Sequence, residues 1–498
     1  MTAIYIERVR VFDIDSSYIG VDCSESVKME LRQYFSFMAA GAKYDKRYRN
    51  KLWDGKIYLF DVRSRKILSG LKGEIEAYCK KNHYEFIDDC VKVEGKIDDK
   101  VIGKFIEYLN LPTEMADLPF EIRDYQIETL KIAIRDQRAV ILSPTSSGKS
   151  LSMYLIARWF NKRTLIIVPT TTLVTQLAGD FASYNYQLPV SQIMAGQSKV
   201  NLHKITVSTW QSVKTMPPSW LAQFEVIIGD EAHGFEAKSL QKIMTSATAK
   251  IRIGTTGTIK TDGDQKVHRL TLIGLFGNIT RVLSTTEMIE NGWATPFDII
   301  ACELLYDKED CKAVKPKRIN KVLQKVEYSD EMDFICNHKK RNHFLKQLAL
   351  SRKGNTLLPF KKIEHGKELY RIIKELRPNT HLVYGNVKTE VRNEIRALSE
   401  KSNDAIIIAS YPTFSTGINI RNLHHVILAA PIKSQIKIVQ SIGRLLRLNK
   451  DKDKAHLYDV GDNLMLGAYT NFAYKHFISR LELYTAEKFD YKIKRFEL

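Results

Sequence analysis

Ala139-Val-Ile-Leu-Ser-Pro-Thr-Ser-Ser-Gly-Lys-Ser150 reads as a short buried strand running into a loop that opens a helix, because a helical pattern follows from Leu151 to Trp159. Strand, loop and helix in that order are the context a phosphate-binding loop needs. Backbone N–H groups at a helix N-terminus cradle phosphate oxygens; Lys149 suits the β and γ phosphates, and the Ser150 hydroxyl suits Mg²⁺. Thr145, Ser147 and Gly148 complete the candidate cradle. Ser143 stands where the general pattern G-x-x-x-x-G-K-[ST] has its first glycine, so the backbone there must accept a side chain.

Downstream, Phe224-Glu-Val-Ile-Ile-Gly229 has the apolar run of a strand buried on both faces, and Asp230-Glu-Ala-His233 ends it. Carboxylates at that point lie on the C-terminal edge of a parallel sheet, where α/β folds bind ligands. Asp230 is placed to hold the Mg²⁺ shell, Glu231 to orient or deprotonate an attacking water, and His233 to couple the nucleotide site to the rest of the chain. Further on, Lys433 to Arg447 has helical periodicity, so Gln440, Arg444 and Arg447 share one face, with Gly443 between them allowing close approach. Arginines offered to a γ-phosphate contribute about 10³ to 10⁵ in turnover. The three motifs in order describe a motor that spends ATP on nucleic acid.

Composition agrees with that reading. The 498 residues leave room for about three domains. The formal charge of +19, from 76 Lys and Arg against 57 Asp and Glu, implies a polyanionic partner. Six cysteines without C-x-x-C spacing indicate neither a zinc site nor a disulfide framework. The first residues lack a basic region and apolar core, and no run approaches the roughly 18 apolar residues of a membrane span, so a cytoplasmic protein is expected.

Leu111 to Pro119 is polar and breaker-containing, which suggests a linker. After it, the short apolar runs Ala139–Leu142, Thr164–Val168, Ile205–Ser208, Glu225–Gly229 and Lys250–Gly254 alternate with amphipathic stretches. A second set follows: Phe297–Leu305, Thr356–Phe360, His381–Tyr384, Ala405–Ala409, His425–Ala429 and His456–Val460. The expected fold class is α/β, with two tandem parallel-sheet lobes over 113–297 and 298–498 and a small α+β domain over 1–112. Lys308 to Lys325 reads as an irregular, lysine-rich insertion, and Tyr469 to Tyr491 as a helix packed on a core.

With these motifs on two α/β lobes, the chain resembles the superfamily 2 helicases and translocases, whose lobes are RecA-like. Secondary motifs agree across residues 120 to 460. Arg123-Asp-Tyr-Gln126 resembles the motif whose glutamine reads the adenine edge, which puts Arg123 and Gln126 at the nucleotide. The segments around Pro169, Thr170 and Thr171 and around Thr209, Trp210 and Gln211 are similar to those that hold the nucleic-acid backbone. Ser246-Ala-Thr248 matches the usual letters of the coupling motif but precedes a strand that the motif should follow. Thr255-Thr-Gly-Thr258 occupies the proper place, which assigns coupling to Thr256, Gly257 and Thr258. Tyr411 to Ile420 resembles the motif touching both strand and nucleotide, with Ser415 and Thr416 toward nucleic acid and Gly417 and Asn419 toward nucleotide; many relatives carry aspartate where Asn419 stands.

At the other end, Tyr44 to Phe60 reads as two alternating strands around Asp54-Gly55, a favoured hairpin turn. Arg47, Arg49 and Trp53 then line a basic, aromatic arm, with cations for phosphates and an indole for an unpaired base. A small domain whose tryptophan is core remains the alternative, because alternation must bury one face. This leader and the compact lobes resemble the UvsW-type recombination helicases of large tailed phages. The resemblance implies a monomer on DNA that unwinds branched DNA with 3′ to 5′ polarity, moves junctions, regresses forks, clears RNA–DNA hybrids and anneals strands. Spacing and composition alone leave an RNA helicase or a duplex translocase open.

Overall fold

The structure, a computed structural model, describes all residues except 1–5, 40, 92–96, 116–117, 195–201, 260–264, 316, 320–321, 325–326, 386–388, 414–419, 421, 433–434 and 450–451. It divides into two compact units, one of residues 1–143 and 148–283, the other of 144–147 and 284–498.

The first unit is built on a seven-stranded parallel sheet in the order Val190–Ile193, Ile205–Thr209, Thr164–Val168, Val226–Asp230, Ile251–Thr256, Arg138–Leu142, Asn278–Arg281. Its central strands are buried along most of their length, which is why they are continuous apolar runs. Helices Asp124–Asp136, Lys149–Phe160 and Thr171–Ser183 supply Leu130, Tyr154 and Phe181 to one core. Helix Asp99–Tyr108 joins it through Ile102, followed by a short antiparallel pair, Glu114–Met115 with Leu118–Pro119, in the stretch read as a linker.

A four-stranded sheet precedes this lobe in the order Lys66–Leu68, Tyr18–Cys23, Arg8–Asp13, Glu85–Asp88. It is fastened to helix Gln265–Phe276 of the lobe, whose Leu270 and Ile273 lie in one apolar cluster with Val9, Val11 and Phe35. The approach is close enough that a Cβ on Gly70 would fall 1.8 Å from the Ile273 carbonyl oxygen. Two arginines, Arg252 buried and Arg138 half-buried, add a polar clamp. Arg138 donates to the carbonyls of Ser16 and Leu275 (2.8 and 2.9 Å), and Arg252 to the hydroxyls of Ser16 and Ser17 and the carbonyls of Ala247 and Ala249. Burial, with Arg138 close by, pulls Arg252 down to about 9.

The expected hairpin over Tyr44–Phe60 is corrected. Only Lys56–Tyr58 is a strand, and it pairs with Ser36–Met38; residues 46–49 form a helical turn instead. Asp45 explains the difference, because its carboxylate accepts from the Arg47 N–H at 2.8 Å and caps that turn, which alternation alone does not reveal.

The second unit is a seven-stranded parallel sheet in the order Thr380–Val383, Ile406–Ser410, Thr356–Phe360, His425–Leu428, Ala455–Asn463, Phe297–Leu305, Tyr491–Glu497. Two expectations change here. The described residues of 308–325 are regular: Asp307 caps helix Lys308–Ala313, Cys311 is buried, and Lys317–Ile319 pairs with Val322–Gln324. The C-terminal helix is shorter, Phe472–Ala486, and the chain then adds an edge strand whose mostly exposed residues carry no apolar run.

Candidate functional site

In the first unit the motif residues collect at the C-terminal edge of the sheet. Val168 pairs with Thr209, Asp230 with Thr255, and Thr256 with Leu142, so all the loops in question leave from that edge. Ser143 is accommodated because its N–H donates to the Thr256 carbonyl at 3.0 Å, and the left-handed positions of the loop fall at Ser146 and Gly148. Gly148, at φ +76°, is the N-cap of helix Lys149–Phe160, which puts Lys149 and Ser150 in its first turn, where the helix dipole favours anions. Gln126 reaches the same loop. Its carbonyl oxygen accepts from the Arg123 N–H at 3.0 Å, and its amide nitrogen lies 2.7 Å from where a Cβ on Gly148 would sit.

Asp230 and Glu231 form the acidic part of the site. Asp230 accepts from the Thr255 hydroxyl at 3.0 Å, and burial with the adjacent Glu231 raises it to about 6 against the pull of Lys149. Burial acts to raise Glu231 too, but His233 and Lys149 overcome it and leave this carboxyl below the usual glutamate range. Glu231 holds φ +49°, a left-handed conformation costly for a residue with a Cβ, which is the kind of strain found at functional positions. His233 lies 3.2 Å from the Glu231 carboxylate and 2.9 Å from the Thr256 hydroxyl. Thr256 in turn donates to the carbonyl of Thr258 across Gly257. Thr255, as the partner of Asp230, is the residue the motif reading missed; its signal is its pairing register beside Asp230. Ser246-Ala-Thr248 ends helix Lys238–Ser246, and its Ala247 carbonyl is taken by Arg252.

Asp230, a carboxylate whose charge burial and Glu231 disfavour, offers the hard oxygen that suits Mg²⁺, and Ser150 carries a hydroxyl in the first turn of the helix that the loop opens.

Of the candidate nucleic-acid residues, Thr170 and Thr209 are helix N-caps at strand ends, and the Thr209 hydroxyl accepts from Ser212 N–H and donates to its Oγ. Thr171 and Gln211 are exposed, Pro169 is half-buried, and Trp210 packs against the core. In the leader, the Arg47 guanidinium sits 5.1 Å from the Trp53 ring centre and donates to Asp45, while the indole N–H donates to the Lys56 carbonyl at 3.0 Å. Trp53 is thus half-buried, and Arg49 is exposed.

In the second unit, Arg444 lies on helix Gln435–Leu445, its guanidinium pulled down to about 9 by burial and by Arg447. Residues Pro144–Ser147 group with this unit. There the Ser146 hydroxyl donates to the Gly443 carbonyl at 2.8 Å, Arg447 Nε lies 3.4 Å from Ser146 Oγ, and a Cβ on Gly443 would meet Thr145. Gln440 belongs to the same helix, but its side chain lies outside the described residues, as do Ser415, Thr416, Gly417 and Asn419. No helix among the described residues is long and apolar enough to cross a membrane.

Comparison with known proteins matches three families along the chain. They are the N-terminal domain of the DNA helicase UvsW (residues 8–89), the res subunit of type III restriction enzymes (119–261), and the helicase conserved C-terminal domain (339–449). The ATP-dependent DNA helicase uvsW of Enterobacteria phage T4 is 32% identical over 98% of this chain and 100% of its own length. The DNA 3′-5′ translocase XPB2 of Sulfurisphaera tokodaii is 23% identical over 74% of this chain and 85% of its own. A solved fragment of a putative HsdR subunit of a type I restriction enzyme from Vibrio vulnificus shares the fold, with a TM-score of 0.54 at 17% identity, covering 92% of this chain and 83% of that one.

Proposed function

This chain belongs to the UvsW-type ATP-dependent DNA helicases of superfamily 2, and from that premise we propose that it remodels branched DNA. It moves four-way junctions, regresses forks with 3′ to 5′ polarity, and acts on RNA–DNA hybrids. The observation that carries this reading is the leader. A domain matching the UvsW N-terminal family is clamped to the motor lobe by Arg138, Arg252 and helix Gln265–Phe276, so whatever DNA it holds is referred to the lobe that carries Lys149 and Glu231.

In the proposed cycle the loop N–H groups and Lys149 hold the phosphates of ATP, and Gln126 lies at the base. Bound Mg²⁺, held by Ser150 and Asp230, would neutralise charge on the β and γ oxygens. Glu231, kept ionised by His233 and Lys149, orients or deprotonates the water that attacks the γ-phosphorus as the bond to the β–γ bridging oxygen breaks and ADP leaves with phosphate. Arg444 and Arg447 are assigned to the developing phosphate charge, and the motif reading assigns Gln440, Gly417 and Asn419 to the nucleotide as well. His233, Thr256, Gly257 and Thr258 pass the change from the carboxylate to the turn that ends strand Ile251–Thr256. Thr170, Thr171 and Gln211, with Ser415 and Thr416, are assigned to the DNA backbone, Thr209 caps the turn that carries Gln211, and Arg49 grips phosphate ahead of the lobe, with Arg47 bracing its loop.

The relationship to translocases such as XPB2 supports a second reading, movement along duplex without strand separation. ATP hydrolysis and strand displacement measured together on single strand, duplex, fork, four-way junction and RNA–DNA hybrid separate the two. Strongest stimulation by fork and junction, with displacement, supports remodelling; stimulation by plain duplex without displacement supports the translocase.

A further inference from the structure

Two of the most exposed large apolar side chains among the described residues, Tyr44 at 85% and Leu52 at 79%, stand on one small loop. Solvent-facing apolar groups in a loop contribute nothing to its own folding, and the loop is otherwise tightly braced. The Ala39 N–H donates to the Gly55 carbonyl at 2.7 Å and closes its base. Inside, the Leu52 N–H donates to the Arg47 carbonyl at 2.8 Å, Asp45 caps the turn and binds the Arg47 guanidinium, and that guanidinium lies over Trp53. Asp54 accepts from Lys56 N–H and from the Tyr58 hydroxyl. Gly55, at φ +77°, lies so close to Met38 and Tyr48 that a Cβ would come within 2.8 Å of each.

The brace uses up both carboxylates of residues 41–55 and leaves Lys43, Lys46, Arg49 and Lys51 exposed around the two apolar groups. Trp53, the aromatic that sequence favours for a base contact, is instead an internal strut. A rigid tip with apolar points in a ring of cations fits a polyanion that offers an apolar face, which is the end of a base stack where two DNA strands part. Apolar side chains wedged between base steps, with cations on flanking phosphates, open DNA in this manner, and preorganisation lowers the ordering cost.

We propose that this tip is a strand-separating wedge, with Tyr44 stacking on the last base pair of a fork and Leu52 holding the opened strands apart. The inference rests on the branched-DNA reading above, and it assigns the separating step to residues distinct from those that grip phosphate.

The test compares the full chain with a Tyr44→Ala, Leu52→Ala double variant and a Tyr44→Phe variant on a forked duplex carrying 2-aminopurine at the junction. The wedge requires base pairs opened per ATP hydrolysed to fall about tenfold in the double variant, with fork affinity within about threefold and the junction fluorescence rise lost. Tyr44→Phe, which keeps the ring, retains all three. Equal opening per ATP by the double variant and the parent overturns the wedge, as does a loss of affinity as large as the loss of opening, which would make the tip a grip. No opening of any fork by the parent chain refutes the branched-DNA reading itself.

Discussion

His233 Nδ1 lies 2.9 Å from the Thr256 hydroxyl and 3.2 Å from the Glu231 carboxylate, so one imidazole bridges the acidic turn and the end of the next strand. A change in charge near Glu231 therefore reaches the Thr256–Thr258 turn in one step. Replacing His233 by Ala, or Thr256 by Val, should lower the DNA-stimulated part of ATP turnover about tenfold, the loss of one charge-assisted contact. Thr248→Val, in the look-alike tripeptide where the side chain is exposed, should change turnover less than twofold. Steady-state ATPase with and without DNA checks both; a Thr248 effect equal to that of Thr256 would reverse the assignment.

Glu231 combines a half-buried carboxylate, whose charge burial disfavours, with a left-handed backbone, both unfavourable to folding. Glu231→Asn, uncharged and tolerant of that conformation, should leave the first unit as stable or more stable by about 1 kcal/mol while turnover falls about 10³-fold. Chemical unfolding and ATPase on the same preparation check it. A clear loss of stability would show that the carboxylate is structural.

Arg252 is fully buried and ties the leader to the lobe through the Ser16 and Ser17 hydroxyls, while also donating to the Ala247 and Ala249 carbonyls of its own lobe. Arg252→Ala leaves those acceptors without their donor and should cost about 3 kcal/mol. The leader should also loosen from the lobe, read as faster proteolysis between residues 89 and 99 under native conditions.

The central strands of both sheets are readable because strands buried on two faces must be runs such as Leu165–Val168 and Ile406–Ala409, and the motif carboxylates follow from their place at a strand end, whereas the less buried edge strands Val190–Ile193 and Asn278–Arg281 are not. The leader loop is not readable. Its alternation suggests a hairpin, but Asp45 and the Arg47–Trp53 contact fold it back into a turn, and neither contact has a periodic signature. Tyr491–Glu497 escapes because an exposed edge strand needs no apolar run, and the Arg252–Ser17 contact joins residues 235 apart. Thr255 and His233 touch the carboxylates by register and turn geometry, visible only once the strands are paired.

The second unit should be acid-sensitive. Burial, with Arg341 nearby, holds His365 down to about 3, and burial holds His425 down to about 4, against an ordinary 6.5. Between pH 6.5 and those values the unfolded chain takes up protons that the folded unit refuses. The stability is thus fully present above pH 6.5 and drains as pH falls, by up to about 1.4 kcal/mol per pH unit for each group. Urea unfolding between pH 7 and 5 should show this slope, and His365→Gln, which can still donate to Asn342, should reduce it. An unchanged slope would place the sensitivity elsewhere.

The most direct test follows ATP hydrolysis and strand displacement simultaneously on one forked DNA, with the parent chain and with Glu231→Gln. The parent should displace the strand only with hydrolysable ATP, while Glu231→Gln binds ATP and the fork yet neither hydrolyses nor displaces. Displacement by the parent with a non-hydrolysable analogue, or near-normal hydrolysis by Glu231→Gln, would contradict the account.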